Sequence, residues 1–393
     1  MTQGRDRSLF MAGWLGWVLA ACSLSFMGVA TLAPHIVADT HLPREAVGWF
    51  AGLVWGAGLA ASLVTGELVR RWGPWAVTRL CLASCALGAL AMASGEVVLF
   101  VLAALLIGIG QGLEAPPASQ LLTAYVKASR RALYFSLKQT GVQIGAVTAS
   151  LAMPLLAYVL GWRAALLGVA ILLLVTLLAL GRVSRVAPES DALNASAPSG
   201  SRAWWALLRE QRDIRRLSLA ACAFGATQVC LNTFIVTWLI ADRQLSLTSA
   251  GLFAAAAQGA GLLGRPLWGW LASQTGRSIR VLRALGALMS LCAITLGAVG
   301  SALNETALWV CVVLFGLSAS GWNGVFLSEV AARCKAVPVA AATAAAMVPL
   351  YLGLIVGPLL FAAIGQVAQF ATSFIVLAVA AALGTLWLPA ARR

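Results

Sequence analysis

Residues 164–181 read AALLGVAILLLVTLLALG and contain no charged side chain. Residues 370–388, FATSFIVLAVAAALGTLWL, form a second such run near the C-terminal end. A helix needs about 20 predominantly apolar residues to cross the hydrocarbon core of a bilayer. An outer-membrane β-barrel would show short segments of alternating polarity instead. Both runs therefore predict membrane-spanning helices.

The composition extends this conclusion to the whole chain of 393 residues. Hydrophobic residues make up 61% of the chain, charged residues make up 10%, and the mean hydropathy is +0.90. A soluble domain has about 45–50% apolar and about 25% charged residues, so this chain lacks the charge to coat a soluble surface. The sequence also has no nucleotide-binding loop, zinc-binding helix motif or nucleophile elbow. We therefore expect no enzyme activity, no cofactor and no bound metal.

Charge clusters and turn residues divide the chain into twelve predicted spans. They lie near residues 9–33, 47–69, 76–94, 97–122, 133–160, 162–181, 217–241, 249–272, 281–301, 307–329, 337–363 and 369–389. The expected fold class is an all-α membrane protein in which 12 transmembrane helices form two six-helix bundles. The predicted domains are the bundles at 1–181 and 217–393, joined by a cytoplasmic linker at 182–216. Tryptophans and arginines in the second half of the linker predict a helix that lies on the membrane surface.

The basic residues are distributed unequally between the two sides of these spans. Of the 27 Lys and Arg residues, only Arg44, Arg163 and Arg243 fall in the predicted outer connections, and the other 24 fall in the inner segments. The positive-inside rule then places both termini in the cytoplasm. The net charge of +14 is therefore explained by topology, and we expect no nucleic acid partner. The predicted location is the inner (cytoplasmic) membrane, and the predicted assembly state is a monomer in the lipid bilayer.

Two sequence patterns occur once in each half of the chain. The stretch Gly66-Glu67-Leu68-Val69-Arg70-Arg71-Trp72-Gly73 follows the second span, and Gly269-Trp270-Leu271-Ala272-Ser273-Gln274-Thr275-Gly276 follows the eighth. Gly141-x-x-x-Gly145 in the fifth span matches Gly353-x-x-x-Gly357 in the eleventh. Small residues four apart let helices approach closely. The repeats predict duplicated halves that rock against each other.

In these motifs the chain resembles the major facilitator superfamily, over essentially its whole length. Gly66, Leu68, Arg71 and Gly73 match the family's loop signature Gly-x-Leu-x-x-Arg-x-Gly. The family's usual Asp in that loop is replaced by Arg70 in the first copy and by Ser273 in the second. The resemblance implies a secondary transporter that works by alternating access. Its gating loops would contain Gly66, Arg71, Gly73, Gly269, Gly276 and Arg277.

A narrower resemblance is carried by residues 135–141, FSLKQTG, and residues 321–330, GWNGVFLSEV. Both stretches are similar to bacterial members that are grouped with cyanate and organic-anion permeases. Many members of this group have no assigned substrate.

Glu114 and Lys138 are the charged residues that lie deep within predicted spans. Glu114 is about eight residues from the inner end of the fourth span, and Lys138 is about five residues from the inner end of the fifth. At 1.5 Å rise per residue their depths differ by about 4–5 Å, so the two side chains can pair. The pair either locks two helices together or forms a displaceable proton site. Pro116 and Pro117 predict a kink beside Glu114, either for packing or beside a water-lined cavity.

Amide side chains supply further polar groups inside the spans of both halves. Gln139 and Gln143 are four residues apart, as are Gln228 and Asn232, so each pair shares one helix face. For any one amide, a hydrogen bond between helices is an alternative to contact with a substrate. The candidate substrate-binding residues are Lys138, Gln139, Gln143, Gln228, Asn232, Arg265, Trp322 and Asn323, with Glu114 as the proton-coupling residue.

The predicted function is gradient-driven transport, because no ATP-binding motif is present. Cations outnumber carboxylates among the candidate residues, since Lys138 and Arg265 stand against Glu114. This balance favours proton-coupled uptake of a small organic anion such as a monocarboxylate. The alternative is a proton-coupled exporter of drugs or metabolites. Exporters of the superfamily carry Gly-Pro in the fifth span, whereas Gly145 is followed by Ala146 and the proline appears only at Pro358.

Overall fold

The structure is a computed structural model that describes residues 2–40, 46–186, 204–334 and 337–391. Helices make up almost all of these residues. The first half contains α1 Thr2–Thr40, α2 Ala46–Trp72, α3 Pro74–Ala93, α4 Val97–Tyr125, a 3-10 turn Ala128–Arg130, α5 Arg131–Leu160 and α6 Trp162–Val186. The second half contains α7 Trp204–Glu210, α8 Arg212–Ala241, α9 Leu247–Thr275, α10 Ser278–Val299, α11 Glu305–Ala319, α12 Trp322–Arg333 and α13 Val339–Trp387.

The helices confirm the predicted all-α fold with 12 membrane spans. Ten helical stretches of the described chain are long and apolar enough to cross a membrane, and α9 lies at the predicted eighth span. The last helix, α13, is interrupted by non-helical backbone at Ala368 and Gln369. It therefore comprises two spans, with the break at the predicted position between them. The predicted tenth span instead consists of two shorter helices, α11 and α12, because the backbone turns at Ser320 and Gly321.

The described residues form two compact units. Unit 1 takes its residues from Met1–Val126, Lys138–Leu207 and Cys334–Ala345. Unit 2 takes its residues from Lys127–Leu137, Leu208–Arg333 and Ala346–Arg393. Helix α5 thus contributes its first turns to unit 2 and the remainder to unit 1. The predicted linker at 182–216 stays a prediction, because residues 187–203 lie outside the described part of the chain.

The same packing pattern occurs in both units. In unit 1, α4 packs against α1, α2 and α3. In unit 2, α11 packs against α8, α9 and α10, the helices at the corresponding positions of the second half. Each unit is therefore organised around its fourth span, which in unit 1 is the helix that carries Glu114.

Glycines four residues apart produce close helix contacts, as the repeated motif predicted. A Cβ atom added at Gly141 would lie 2.1 Å from the Gly16 carbonyl oxygen, so α5 lies directly on the backbone of α1. In unit 2, a Cβ atom at Gly353 would lie 2.2 Å from the Cys222 carbonyl oxygen. Here α13 makes the corresponding contact with α8. Both halves thus use the motif to bring their fifth span onto their first.

Helix α4 continues through Pro116 and Pro117. Proline at 116 has no N–H to donate to the carbonyl of Gly112, four residues earlier. The hydroxyl of Thr65 on α2, which is fully buried, donates to the Ala61 carbonyl of its own helix at 2.7 Å and lies 3.3 Å from the Gly112 carbonyl oxygen. The freed carbonyl therefore faces α2 inside the helix contact, which favours the packing interpretation of Pro116.

The glycine contact at Gly141 generates a prediction about stability. Alanine is favoured over glycine in a helix by up to about 1 kcal/mol. At Gly141 the added methyl group collides with the α1 backbone, and such overpacking costs about 1–3 kcal/mol. We therefore expect Gly141→Ala to lower the unfolding midpoint in detergent. Gly168→Ala in α6 is the matched control, because nothing lies within 4 Å of a Cβ atom there. Equal midpoints for the two variants would contradict the contact.

Candidate functional site

A buried ion pair joins α4 to α5 within unit 1. The Lys138 Nζ atom donates a hydrogen bond to Glu114 Oε2 at 2.6 Å. The Lys138 side chain is 1% exposed and the Glu114 side chain is 6% exposed. Lys138 also donates to Gln139 Oε1 at 3.2 Å. The contact predicted from the depths of the two residues is present in the structure.

Burial makes each member of this pair dependent on the other. Removing an isolated charge from water costs several kcal/mol, and an opposite charge at hydrogen-bond distance offsets that cost. Glu114 Oε1, the second carboxylate oxygen, is buried and accepts no hydrogen bond from the described residues. The pair is therefore electrostatically balanced, while one of its oxygens keeps unused hydrogen-bonding capacity.

Backbone contacts hold Glu114 in position. A Cβ atom at Gly108 would lie 2.3 Å from the Val54 carbonyl oxygen, and one at Gly112 would lie 2.3 Å from the Gly58 carbonyl oxygen. These two glycines seat α4 against α2 within two turns of Glu114. They form a second small-residue motif that sequence reasoning missed, although the spacing Gly108-x-x-x-Gly112 could have identified it.

Gln111 fixes the same helix to α1. Its Nε2 atom donates to the Cys22 carbonyl oxygen at 2.8 Å. This bond is the interhelical role that an isolated in-span amide was expected to have. Gln143, a candidate substrate-binding residue on α5, is also buried within unit 1.

An amide pair occupies unit 2. The Asn323 Nδ2 atom donates to Gln228 Oε1 at 3.1 Å, and both side chains are partly exposed. Asn232 lies one turn from Gln228 on α8 and is exposed. The structure thus brings together two of the three candidate amides of this half.

Trp322 and Arg265 are fully buried in unit 2. Trp322 packs edge-on against Phe224 at a centroid distance of 5.7 Å and is 5.5 Å from Phe326. This aromatic cluster gives Trp322 a core-packing role. Arg265 is 1% exposed and directly precedes Pro266 in α9. It therefore places a cation inside the unit.

The first predicted gating loop forms a tight turn between α2 and α3. Gly73 has a φ of 79°, which favours glycine, and Pro74 begins α3. A Cβ atom at Gly66 would lie 2.9 Å from the Ala341 Cα atom, also in unit 1. Arg71 forms an ion pair with Glu67.

Glu67 is a residue that sequence reasoning missed. It also forms an ion pair with Arg70, the residue that stands where the family usually has Asp. The loop therefore retains a carboxylate, one helical turn earlier than the family pattern. The spacing of Glu67, Arg70 and Arg71 could have predicted these ion pairs, because it puts both arginines on the same helix face as the glutamate.

The second gating loop closes α9 and opens α10. Gly276 ends α9 with a φ of 63°, and Arg277 precedes the first turn of α10. A Cβ atom at Gly269 would lie 2.4 Å from the Ser136 Cβ atom, within unit 2. The Ser273 hydroxyl accepts a hydrogen bond from the Leu133 backbone N–H at 2.9 Å. Ser273 thus binds the first turn of α5 where the family's usual Asp would stand.

An apolar pocket lies among α1, α2, α3 and α4 of unit 1. Phe26, Phe50, Met92 and Phe100 are among its lining residues, and none of the lining side chains is charged. It offers nothing that would recognise a charged group. The ion pair is therefore the feature of unit 1 that carries the candidate chemistry.

The helices, their duplicated arrangement and the buried pair define a polytopic membrane protein of the kind that moves solutes. Comparison with known families is consistent with this class. The sequence profile of the Major Facilitator Superfamily matches residues 13–348. The chain belongs to this superfamily, and its members are transporters rather than enzymes.

Solved structures of transporters share the fold at low sequence identity. The human organic anion transporter MFSD10 has a TM-score of 0.75 at 15% identity, covering 98% of this chain and 99% of that one. The E. coli fucose:proton symporter FucP has a TM-score of 0.73 at 16% identity, covering 94% and 97%. The proton:xylose symporter XylE has a TM-score of 0.75 at 16% identity, covering 98% and 95%. No curated protein sequence matches the chain.

The ion pair generates a prediction about stability that does not depend on transport. Lys138→Met leaves a buried carboxylate without its cation, and breaking a buried pair in this way costs about 3–5 kcal/mol. Replacing both residues, Glu114→Gln with Lys138→Met, removes both charges. We expect the double variant to be more stable than Lys138→Met alone, measured by unfolding in mixed micelles. Additive losses of stability would contradict a coupled pair.

Proposed function

We propose that the chain is a secondary active transporter that takes up a small organic anion, such as a monocarboxylate, together with a proton. The observation that carries this proposal is the buried pair of Lys138 and Glu114. Buried ionisable pairs in transporters occur at sites where protons and substrates bind. Lys138 would bind the anionic end of the substrate, and Glu114 would carry the proton.

The coupling follows from the charge balance of the site. In the resting carrier, Lys138 neutralises Glu114 at 2.6 Å. An arriving anion competes for the Lys138 ammonium group. Glu114 then loses its compensating charge in a low-dielectric environment and takes up a proton. The loaded site holds one substrate charge and one proton, so binding of each favours binding of the other.

Two further observations support an anionic substrate. Arg265 places a second cation inside the protein, and Gln139, Gln143, Gln228, Asn232 and Asn323 would bind carboxyl or hydroxyl oxygens without adding charge. Among the structural neighbours, one is an organic anion transporter and two are proton symporters. The proposed location is the inner membrane with both termini in the cytoplasm, as the distribution of basic residues predicts.

The second candidate function is proton-driven export. Pro358, directly after Gly357, supplies in the second half the Gly-Pro step that exporters carry in the fifth span. The absence of proline after Gly145 favours uptake. The direction of proton-driven flux separates the two functions.

The proposed role of Glu114 predicts the behaviour of Glu114→Gln. In proteoliposomes with an inward proton gradient, we expect the wild type to accumulate lactate and benzoate. Glu114→Gln should exchange the anion across the membrane without concentrating it, because the glutamine side chain cannot take up the proton. Radiolabelled uptake and counterflow measure the two activities separately.

Protein-free liposomes with the same gradient correct for passive entry of the acids. Glu96→Gln is the matched control variant, because Glu96 is exposed. Accumulation by Glu114→Gln at the wild-type level would overturn the role of Glu114. Proton-driven efflux in place of uptake would support the exporter.

The turn at Gly73 predicts a transport defect that is separate from binding. Any side chain at Gly73 is strained because of its positive φ. Gly73→Val should slow transport about fivefold or more if the strain costs about 1–3 kcal/mol in a state that the carrier must visit. Substrate affinity, measured by thermal shift in detergent, should change little. Equal loss of binding and transport would indicate misfolding instead.

A further inference from the structure

The ion pair of unit 1 has hydrogen-bonding capacity on both of its members. An ammonium group has three N–H donors. Two of those of Lys138 are used, by Glu114 Oε2 and Gln139 Oε1, and the described residues offer no acceptor for the third. On the other member, Glu114 Oε1 is buried without a donor from the same part of the chain. A buried polar atom without a partner is costly, so a ligand that completes both groups gains binding energy.

The two unused groups lie side by side. Glu114 Oε1 and Oε2 belong to one carboxylate and are about 2.2 Å apart by covalent geometry. Oε2 is 2.6 Å from Lys138 Nζ, so Oε1 is also close to the ammonium group. The site thus presents one donor and one acceptor within about 4.8 Å of each other, the sum of these two distances. A planar headgroup with a carbonyl oxygen and an adjacent O–H or N–H has the complementary pattern.

Resting on the proposed function, we propose that the site recognises a planar –C(=O)–XH headgroup, where X is O or N, as a neutral unit. The carbonyl oxygen accepts from Lys138, and the X–H group faces Glu114 Oε1. Carboxylic acids and primary amides share this pattern and therefore share the site.

For an acid, the coupled proton is the one that lies between the substrate carboxyl and Glu114. A carboxylate and one proton enter together, a single O–H bond forms, and no other bond changes. The proton is held between two oxygens, whichever of them carries it. The pair plus a neutral headgroup has no net charge, which is the least costly arrangement in a low-dielectric environment. A primary amide fills the same positions with no proton.

The competing interpretation is that the pair only fastens α4 to α5. In that case Glu114 Oε1 would not distinguish one headgroup from another. An ester separates the two interpretations, because it has the carbonyl oxygen and lacks the X–H donor. Bound at this site, it leaves Glu114 Oε1 unsatisfied.

The test measures the binding of matched compounds to the purified full-length protein. Thermal shift and calorimetry are the two methods. The probes are lactate, lactamide and methyl lactate, with benzoate, benzamide and methyl benzoate as a second set. We expect acid and amide to bind and the methyl ester to bind at least about tenfold more weakly. The apparent affinity for the acid should fall roughly tenfold per pH unit as pH rises, because a proton binds with it. The affinity for the amide should not change with pH.

Glu114→Gln sharpens the test because it replaces the acceptor Oε1 with an amide group that can donate. This variant should bind the ester better than the amide, reversing the wild-type order, whereas Glu96→Gln should keep the wild-type order. The reversal also controls for the extra methyl group of the ester. If Glu114→Gln does not fold, the order of affinities of the wild type for acid, amide and ester still distinguishes the two interpretations.

The outcomes separate the two levels of the proposal. Binding of acid without amide, or of ester as tightly as amide, overturns the headgroup inference and leaves proton-coupled anion uptake standing. Failure of both acids to bind or accumulate overturns the proposed function, and the headgroup inference with it.

Discussion

A hydrocarbon interior offers no water to a charged side chain, so each buried charge must find its partner within the protein. In unit 1 this constraint is met by Lys138 and Glu114, at 2.6 Å and almost without exposure. Such a pair requires two helix backbones to lie at a fixed separation and depth. The glycine contacts provide this separation, since Gly108 and Gly112 seat α4 on α2, while Gly141 seats α5 on α1. The ion pair therefore depends on the packing of small residues, which holds the helices at the required separation.

The two halves repeat this packing without repeating the chemistry. Gly316 in α11 approaches the Ala257 carbonyl oxygen just as Gly108 in α4 approaches that of Val54. Six residues beyond these glycines, the first half has Glu114 and the second has Trp322. The glutamate forms an ion pair, whereas the tryptophan packs against Phe224 and Phe326. The two halves thus share the backbone contacts of the fourth span, while the buried ion pair occurs at this position in the first half and aromatic packing in the second.

The sequence allowed most of the fold to be predicted. A long apolar run in a bilayer must form a helix, because its backbone groups can hydrogen-bond only within the run. The break at Ala368 and Gln369 was located for the same reason, by a short polar interval between two runs. The pairing of Glu114 with Lys138 followed from depth alone, since few charges occur in the spans. The turn at Ser320 and Gly321 was missed, because hydropathy does not register a local interruption of a helix. The exposure of Asn232 and the burial of Trp322 depend on helix rotation, which is set by packing and not by the apolar length of a span.

The position of Lys138 along α5 connects the ion pair to the first turns of that helix. Residues 127–137 pack with unit 2, where Ser136 is in contact with Gly269 and Gly324 so closely that neither glycine could carry a Cβ atom. Lys138 is two residues further, about 3 Å along the helix axis, and belongs to unit 1. A helix does not bend sharply over such a distance without a local cause such as proline, and residues 131–153 contain no proline. One unbent helix thus carries both the Ser136 contacts within unit 2 and the cation of the ion pair within unit 1.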